Sequence, residues 1–273
     1  MINKFKKSIR LWVPPIVLRV VKSIVFGRVK FEGPFESWQE AQSNSQGYDD
    51  KSILKKVSKS THSVIQETGI FERDSVVFNR LELSQLLVAG LAVASSSGNI
   101  NVLDVGGSLG SQYWQHRNLV RHLKIKKWIV VEQPHFVQIG KSEFADGVLS
   151  FIEISEIKQG LAPISLVNLT GSLQFIEDYV SVLMSVLKLN PRVIVIDKIF
   201  ATLESERIYV QHVPKVIYTG SYPFRCLNSD NLNRIMEAEG YELALKLDYI
   251  DFPQLQTINC NFTGLMWVKG KNE

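Results

Sequence analysis

Short apolar runs recur along the chain, separated by longer stretches of mixed polarity. They fall at residues 101–105, 128–131, 148–152, 164–169, 192–196, 243–249 and 262–268. Each has the length of a strand rather than of a helix. Segments of crossover length separate the first five, so strands alternate with helices. The expected architecture is α/β, with five parallel strands, doubly wound, and helices on both faces. A loop, Asp251 to Asn261, is all that divides the last two runs, which should therefore form an antiparallel edge hairpin.

Upstream of the first run the period changes to that of helices. Ser37 stands three residues before Glu40, the spacing of a capping box. A helix is expected from about Lys51 to Glu67 and another from about Leu81 to Ala94, closed by Ser95-Ser96-Ser97-Gly98-Asn99. The chain thus divides into a basic amphipathic helix over 1–30, a helical cap over 31–100 and the main sheet domain over 101–273. We see no internal repeat and no low-complexity tract.

Charge sharpens the first of these boundaries. The net charge of +4 conceals eight basic and no acidic side chains in residues 1–30, and 23 basic against 27 acidic ones in the rest. A mildly acidic body disfavours a nucleic-acid partner, whose footprint spreads over a basic face. In residues 11–26, Pro14-Pro15 interrupts the apolar run. That leaves it far short of the roughly 20 residues that span a bilayer, and no signal peptide is visible. From Ile16 onward, Arg19 and Lys22 share one side of a helical wheel. Two readings stay open: contact with anionic lipid at the inner face of the cytoplasmic membrane, or a terminal helix lying on the body. Cys226 and Cys260 lie in no metal-type pattern and suggest a reducing, cytoplasmic compartment more than a disulfide scaffold. His62, His116, His122 and His135 show no metal-ligand spacing, so no metal is expected.

The chemistry concentrates where two strands end. Val102-Leu103-Asp104-Val105-Gly106-Gly107-Ser108-Leu109-Gly110 joins a strand to a glycine turn, and Trp128-Ile129-Val130-Val131-Glu132 ends a second strand in a carboxylate. Such a pair outlines a nucleoside-type cofactor site at the carboxyl ends of parallel strands. Val105 stands where a dinucleotide fingerprint needs glycine. The turn fits better the acidic-x-Gly-x-Gly-x-Gly pattern of S-adenosylmethionine enzymes, with Ser108 in place of the middle glycine. Gly106 and Gly107 remove Cβ atoms so that backbone can approach a ligand. Asp104 is expected to meet the cationic amino group of a methionine moiety, and Glu132 the two ribose hydroxyls.

On these motifs, the body from about residue 31 to 268 resembles a bacterial family of S-adenosylmethionine-dependent methyltransferases encoded among surface-polysaccharide and lipopolysaccharide genes. Further matching segments are Gly33-Pro34-Phe35 with Trp38, Gly47-Tyr48, Phe71-Glu72-Arg73-Asp74-Ser75, Ser172 to Tyr179, Val210-Gln211-His212-Val213-Pro214 and Ser221-Tyr222-Pro223. The resemblance implies a Rossmann-like, seven-stranded sheet. It also implies that Asp104, Gly106, Gly107, Ser108 and Gly110 line the methionine side, with Glu132, Gln133 and Glu153 toward ribose and adenine. Asn168 to Gln174, including Ser172, would pass beneath the methyl group, with Asn168 where many methyltransferases carry an acid. A sugar or glycolipid acceptor follows from the family, not from residues.

Methyl transfer to a hydroxyl benefits from a general base. His212 leads, because imidazole titrates near neutrality, and Asp197 at the end of the fifth strand is second. Arg207, Tyr209, Tyr218, Tyr222 and Arg225, in the insertion after that strand, are expected to bind the sugar. Two other readings stay open: an NAD-dependent nucleotide-sugar oxidoreductase, disfavoured by Val105 and by the lack of a Tyr-x-x-x-Lys pair, and a non-catalytic scaffold.

Overall fold

The structure, a computed structural model, describes residues 29–47, 51–69, 71–73, 76–78, 83–96, 98–116, 121–157, 161–214, 220–249 and 253–270. The basic segment 1–28 and Tyr218 lie outside these residues. In chain order, β1 (Lys30–Phe35) leads into helices α1 (Trp38–Ser43) and α2 (Lys51–Ile65). A small hairpin of β2 (Phe71–Arg73) and β3 (Val76–Phe78) precedes helix α3 (Gln85–Ser95). Then come β4 (Ile100–Val105), α4 (Ser111–Gln115), β5 (Ile125–Glu132), α5 (Pro134–Ile139), β6 (Leu149–Glu153), β7 (Leu166–Thr170) and α6 (Tyr179–Leu187). The chain continues through β8 (Val193–Thr202), β9 (Arg207–Val213), β10 (Gly220–Asn228), α7 (Ser229–Ala238), β11 (Tyr241–Tyr249) and β12 (Asn261–Lys269).

Short polar side chains set the helix starts. The Ser37 hydroxyl accepts from Glu40 N at 3.1 Å and that of Ser84 from Leu87 N at 3.1 Å. The capping box is only half formed, because Glu40 Oε2 accepts from Glu36 N rather than from Ser37 N.

The central sheet runs β6-β5-β4-β7-β8-β12-β11, with β4 through β8 parallel and β12 antiparallel to both its neighbours. This is the Rossmann-like sheet of five parallel strands with an antiparallel C-terminal hairpin that the sequence leads one to expect. The C-terminal hairpin inserts its second strand between β8 and the edge strand β11.

Strand periodicity explains the core. Val102, Trp128, Val130, Val193 and Val195 pack into one cluster with Leu86, Leu87 and Leu91 of α3. Their alternating neighbours Leu103, Ile129, Val131, Ile194 and Ile196 pack into another, with Leu183 and Val186 of α6 and Leu232 and Met236 of α7. Both faces are covered, so these strands read as continuous apolar runs and not as alternating ones. Full burial of each such side chain stabilises the fold by about 1.5–3 kcal/mol relative to exposure.

Two features depart from the sequence reading. Segment 31–100 is not purely helical. Its strand β1 pairs antiparallel with β9, β9 pairs with β10, and β10 joins the tip of β8 through Leu227 and Asn228. What reads as an insertion after the fifth strand is therefore a β-hairpin that extends the sheet past the carboxyl ends of the parallel strands. Cys226 and Cys260, expected as separate thiols, are joined in a disulfide with Cα atoms 6.2 Å apart. They meet from 34 positions apart within an aromatic cluster that includes Phe200, Phe224 and Phe262, a pairing no local spacing reveals. No helix among the described residues is long and apolar enough to cross a membrane.

Candidate active site

At the carboxyl end of β4 the backbone turns sharply. Gly106 has φ +74°, and a Cβ there would lie 2.4 Å from Ser172 Cβ. At Gly107 a Cβ would lie 2.6 Å from Asp104 Oδ2. The turn continues through Ser108, which holds φ +54° despite its side chain, and ends at Gly110, which caps α4. Ser172 locks the turn from the next strand by donating its hydroxyl to Val105 O at 2.7 Å.

Asp104 lies beneath this turn, 1 % exposed. Trp128 Nε1 donates to its Oδ2 at 3.0 Å and Asn168 Nδ2 to its Oδ1 at 2.7 Å. Asn168 in turn accepts from the Thr170 hydroxyl at 2.8 Å. Burial raises the Asp104 carboxyl to about 6, against the opposing pull of the Asn168 and Trp128 hydrogen bonds. This corrects the expectation that Asp104 and Asn168 touch ligand. Both are internal braces, and only Thr170, at the end of their network, reaches the cleft.

Glu132 ends β5 on the other side of the turn. Its Oε1 accepts from Ser108 N at 3.1 Å and its Oε2 from Gln133 N at 3.0 Å. Burial raises its pKa, the two backbone donors lower it, and the charge of Asp104 raises it further. Ser108 thus orients the carboxylate through its amide. Glu153 occupies the matching position on β6, where its side chain caps the short turn Ile154–Glu156.

These groups line one half of a cleft of about 690 Å³. Gly106, Gly107, Ser108, Glu132, Gln133, Glu153 and Ser172 all face it, whereas Asp104, Gly110 and Asn168 do not. Its other half is walled by Trp38, Phe175, Phe200, Tyr222 and Phe262, with Gln42, Gln112, Gln115, Gln174, Gln211 and Lys198 among them. Lys198 owes its position to an irregularity in β8. Pairing with β12 steps from Ile199–Thr263 to Ile196–Leu265, so one extra residue bulges out, and Lys198 takes φ +54°. Bulges commonly re-aim a side chain beside a functional site. Its charge also reaches His116. Burial first, then Lys198, lowers that imidazole to about 4, with the Gln112 carbonyl opposing.

The expected acceptor residues are dispersed. Tyr222 lines the cleft, its ring 5.1 Å from that of Phe175. Tyr209 is buried behind it, stacked on Phe224 at 5.6 Å. Arg207 is exposed beside Glu204, at 3.7 Å. Arg225 lies 3.8 Å from Glu206 and over the rings of Trp38 and Tyr179, away from the cleft surface. His212 donates Nε2 to Glu32 Oε2 at 2.9 Å on the outer part of the β1–β9 pair. Asp197 is wholly buried, accepting from Ser84, Tyr249 and Lys198 N. It thereby ties the start of α3 and the end of β11 to β8. Neither expected base, His212 or Asp197, faces the cleft. Strand ends and rims look alike in a linear sequence, and only the bulge separates Asp197, turned inward, from Lys198, turned into the cleft. Among the described residues, no group of three or more His, Cys, Asp or Glu side chains converges as a metal site would.

No family model matches the chain, and no curated protein matches it. Solved structures do. The 1,6-didemethyltoxoflavin-N1-methyltransferase of Burkholderia thailandensis, with S-adenosylhomocysteine bound, is 14% identical, with TM-score 0.45 over 88% of this chain and 93% of its own. An S-adenosylmethionine-dependent methyltransferase of Clostridium acetobutylicum is 10% identical, with TM-score 0.48 over 80% and 99%. The [4+2]-cyclase SpnF is 12% identical, with TM-score 0.47 over 80% and 94%. At this level of likeness, the site is read from its own residues.

Proposed function

We propose that the protein is an S-adenosylmethionine-dependent methyltransferase that methylates a sugar hydroxyl in surface-polysaccharide or lipopolysaccharide assembly. The observation that carries the reading is the pairing of a glycine-rich turn after β4, left-handed at Gly106, Ser108 and Gly110, with a backbone-oriented carboxylate after β5. The two face one cleft at the ends of parallel strands, where such sheets bind ligands. The residues fit the cofactor. A Cβ at Gly106 or Gly107 would collide with Ser172 or Asp104 and push the turn out of shape, and Glu132, raised in pKa yet held by two N–H groups, is placed to accept from vicinal ribose hydroxyls. Gln133, Pro134, Glu153 and Ile154 would surround the base, and Gly106, Thr170 and Ser172 the methionine end.

When bound, the cofactor supplies a methyl group on a sulfonium, which an acceptor oxygen displaces in line. The chain's part is to hold the acceptor on that line, which contributes about 7–11 kcal/mol in well-oriented pairs. The aromatic and amide wall beyond Gln174 supports a hydroxylated acceptor. The basic segment 1–30 supports a location at the inner face of the cytoplasmic membrane.

Calorimetry with S-adenosylmethionine, S-adenosylhomocysteine and NAD tests the reading. The two nucleosides should bind, and Glu132→Gln should weaken them by about 10–100-fold, the worth of a charged hydrogen bond. Preference for NAD, or no binding, overturns it. Transfer of radiolabelled methyl to glycolipid extracted from a deletion strain tests the acceptor class. Loss of membrane partition on removing residues 1–28 tests the location.

A further inference from the structure

A buried amide needs partners at both ends, and three cleft glutamines, Gln112, Gln174 and Gln211, have a buried Oε1 without one; the last two lie together. Gln174 is 2 % exposed and donates Nε2 to Lys198 O at 3.3 Å. A carbonyl only accepts, so this contact fixes the amide's orientation. Its Oε1 is then a buried acceptor without a hydrogen-bond partner. Gln211, 8 % exposed, donates Nε2 to Tyr222 Oη at 3.4 Å, and its Oε1 is likewise without one. Native structures rarely leave such groups unmet, and each exception asks for an explanation.

The two glutamines belong to one strip of the cleft wall. Phe175 follows Gln174 in the chain, and its ring meets that of Tyr222 edge-on at 88°. Tyr222 in turn touches Gln211. Both amides and both rings thus line the same stretch of the cleft.

A pyranose has the complementary form, with C–H faces for the aromatic edge and hydroxyl donors at the rim. We propose that Gln174 and Gln211 are the specificity-determining residues of the acceptor subsite. They read a neutral sugar by accepting one hydroxyl each while its ring lies against Phe175 and Tyr222. Two acceptor-only oxygens disfavour carboxylate or phosphate at the same positions. The inference rests on the methyltransferase reading for the sugar's role as acceptor.

The test uses the full chain saturated with S-adenosylhomocysteine and titrated by ligand-observed NMR. The probes are the methyl glycosides of glucose, galactose, mannose, rhamnose and fucose, with methyl glucuronoside and cyclohexanol as contrasts. At least one neutral glycoside should bind more tightly than either contrast. Gln174→Met and Gln211→Met should each weaken it about tenfold without changing affinity for S-adenosylhomocysteine. Where a variant misfolds, the wild-type chain suffices. Monodeoxy analogues of that glycoside should include at least two that bind about tenfold more weakly, one for each carbonyl.

The proposal is overturned if no neutral glycoside binds while the nucleoside does, or if cyclohexanol or the glucuronoside binds as well. It is also overturned if the deoxy analogues all bind like the parent. If glycosides bind as predicted to a chain that does not bind S-adenosylhomocysteine, the subsite stands and the methyltransferase reading falls.

Discussion

The two halves of the cleft are made in opposite ways. The β4–β5–β6 half is local. A single turn from Asp104 to Gly110 and the ends of two neighbouring strands supply it, and backbone amides fix its carboxylate. The acceptor half is assembled from pieces remote in sequence: Trp38 on α1, Gln174 after β7, Lys198 in a bulge of β8, Gln211 and Tyr222 on the added hairpin, and Phe262 on β12. Its polar groups are mostly uncharged amides rather than ionised side chains. The first half has little room to vary, because the backbone itself forms the surface. In the second, side chains projecting from a β-hairpin can be exchanged without moving the sheet, which suits a site that selects among acceptors.

The contrast puts the largest single effect at the backbone-made surface. Gly106→Val puts a β-branched side chain at φ +74° and against Ser172. Strain and overpacking together cost the fold roughly 4 kcal/mol with or without ligand, and a turn that shifts to relieve them also gives up the backbone surface that would hold S-adenosylhomocysteine. Calorimetry showing wild-type affinity would mean that this half is not the nucleoside site.

Next in size is a signature of the brace beneath the turn. Asp104 titrates at about 6 in the folded protein, against an ordinary 3.8. Between these values the folded chain keeps a proton that the unfolded chain has released, so stability falls as pH rises and levels off above about 6. The accumulated loss is on the order of 3 kcal/mol. Urea melts from pH 4 to 8 should show this slope in the wild type and a shallower one in Asp104→Asn, where only the raised Glu132 carboxyl still contributes. An unchanged slope would place the titration elsewhere.

A smaller effect sharpens the same comparison. Ser108 holds φ +54° where a left-handed residue with a Cβ costs on the order of 1 kcal/mol. Ser108→Gly should stabilise the fold by about 0.5 kcal/mol net of the entropy that glycine loses, visible as a small rise in Tm. Nucleoside affinity should be kept, since the amide that serves Glu132 remains. A loss of affinity would show that the serine side chain itself touches ligand.

How much was legible in the sequence follows the same divide. Strand runs, both-face burial, the glycine turn and the carboxylate that ends β5 are readable because each is encoded within about ten consecutive residues. Asp104 stands out in the sequence as the carboxylate before the turn, but the sequence does not give its orientation. Nothing local says that Trp128 and Asn168, on flanking strands, take both its oxygens. Gln174 and Gln211 fall in segments that the resemblance marks, yet nothing singles out their amides there, since an uncharged side chain becomes chemically pointed only when burial removes its water. The sequence favours Asp197 over Lys198, whereas a one-residue bulge in the fold inverts which neighbour faces the cleft. A positive-φ bulge has no sequence mark when lysine, not glycine, occupies it.

The smallest expected effect bears most directly on where the acceptor half ends. Imidazole chemistry singles out His212 in the sequence, yet in the fold its Nε2 donates to Glu32 with side-chain exposures of 39% and 57%. A pair so open to water contributes at most about 0.5 kcal/mol. Across the strands its neighbours are Lys30 and Ser221, and it lies one residue beyond Gln211, whose side chain faces the cleft. Successive side chains on a strand point to opposite faces, so His212 turns outward because Gln211 turns in. His212→Ala should therefore leave radiolabelled methyl transfer to the extracted glycolipid within twofold of wild type, with nucleoside affinity unchanged. A tenfold fall in transfer by a folded variant would carry the acceptor site around the hairpin to its outer face. The amide strip would then be only part of what selects the sugar.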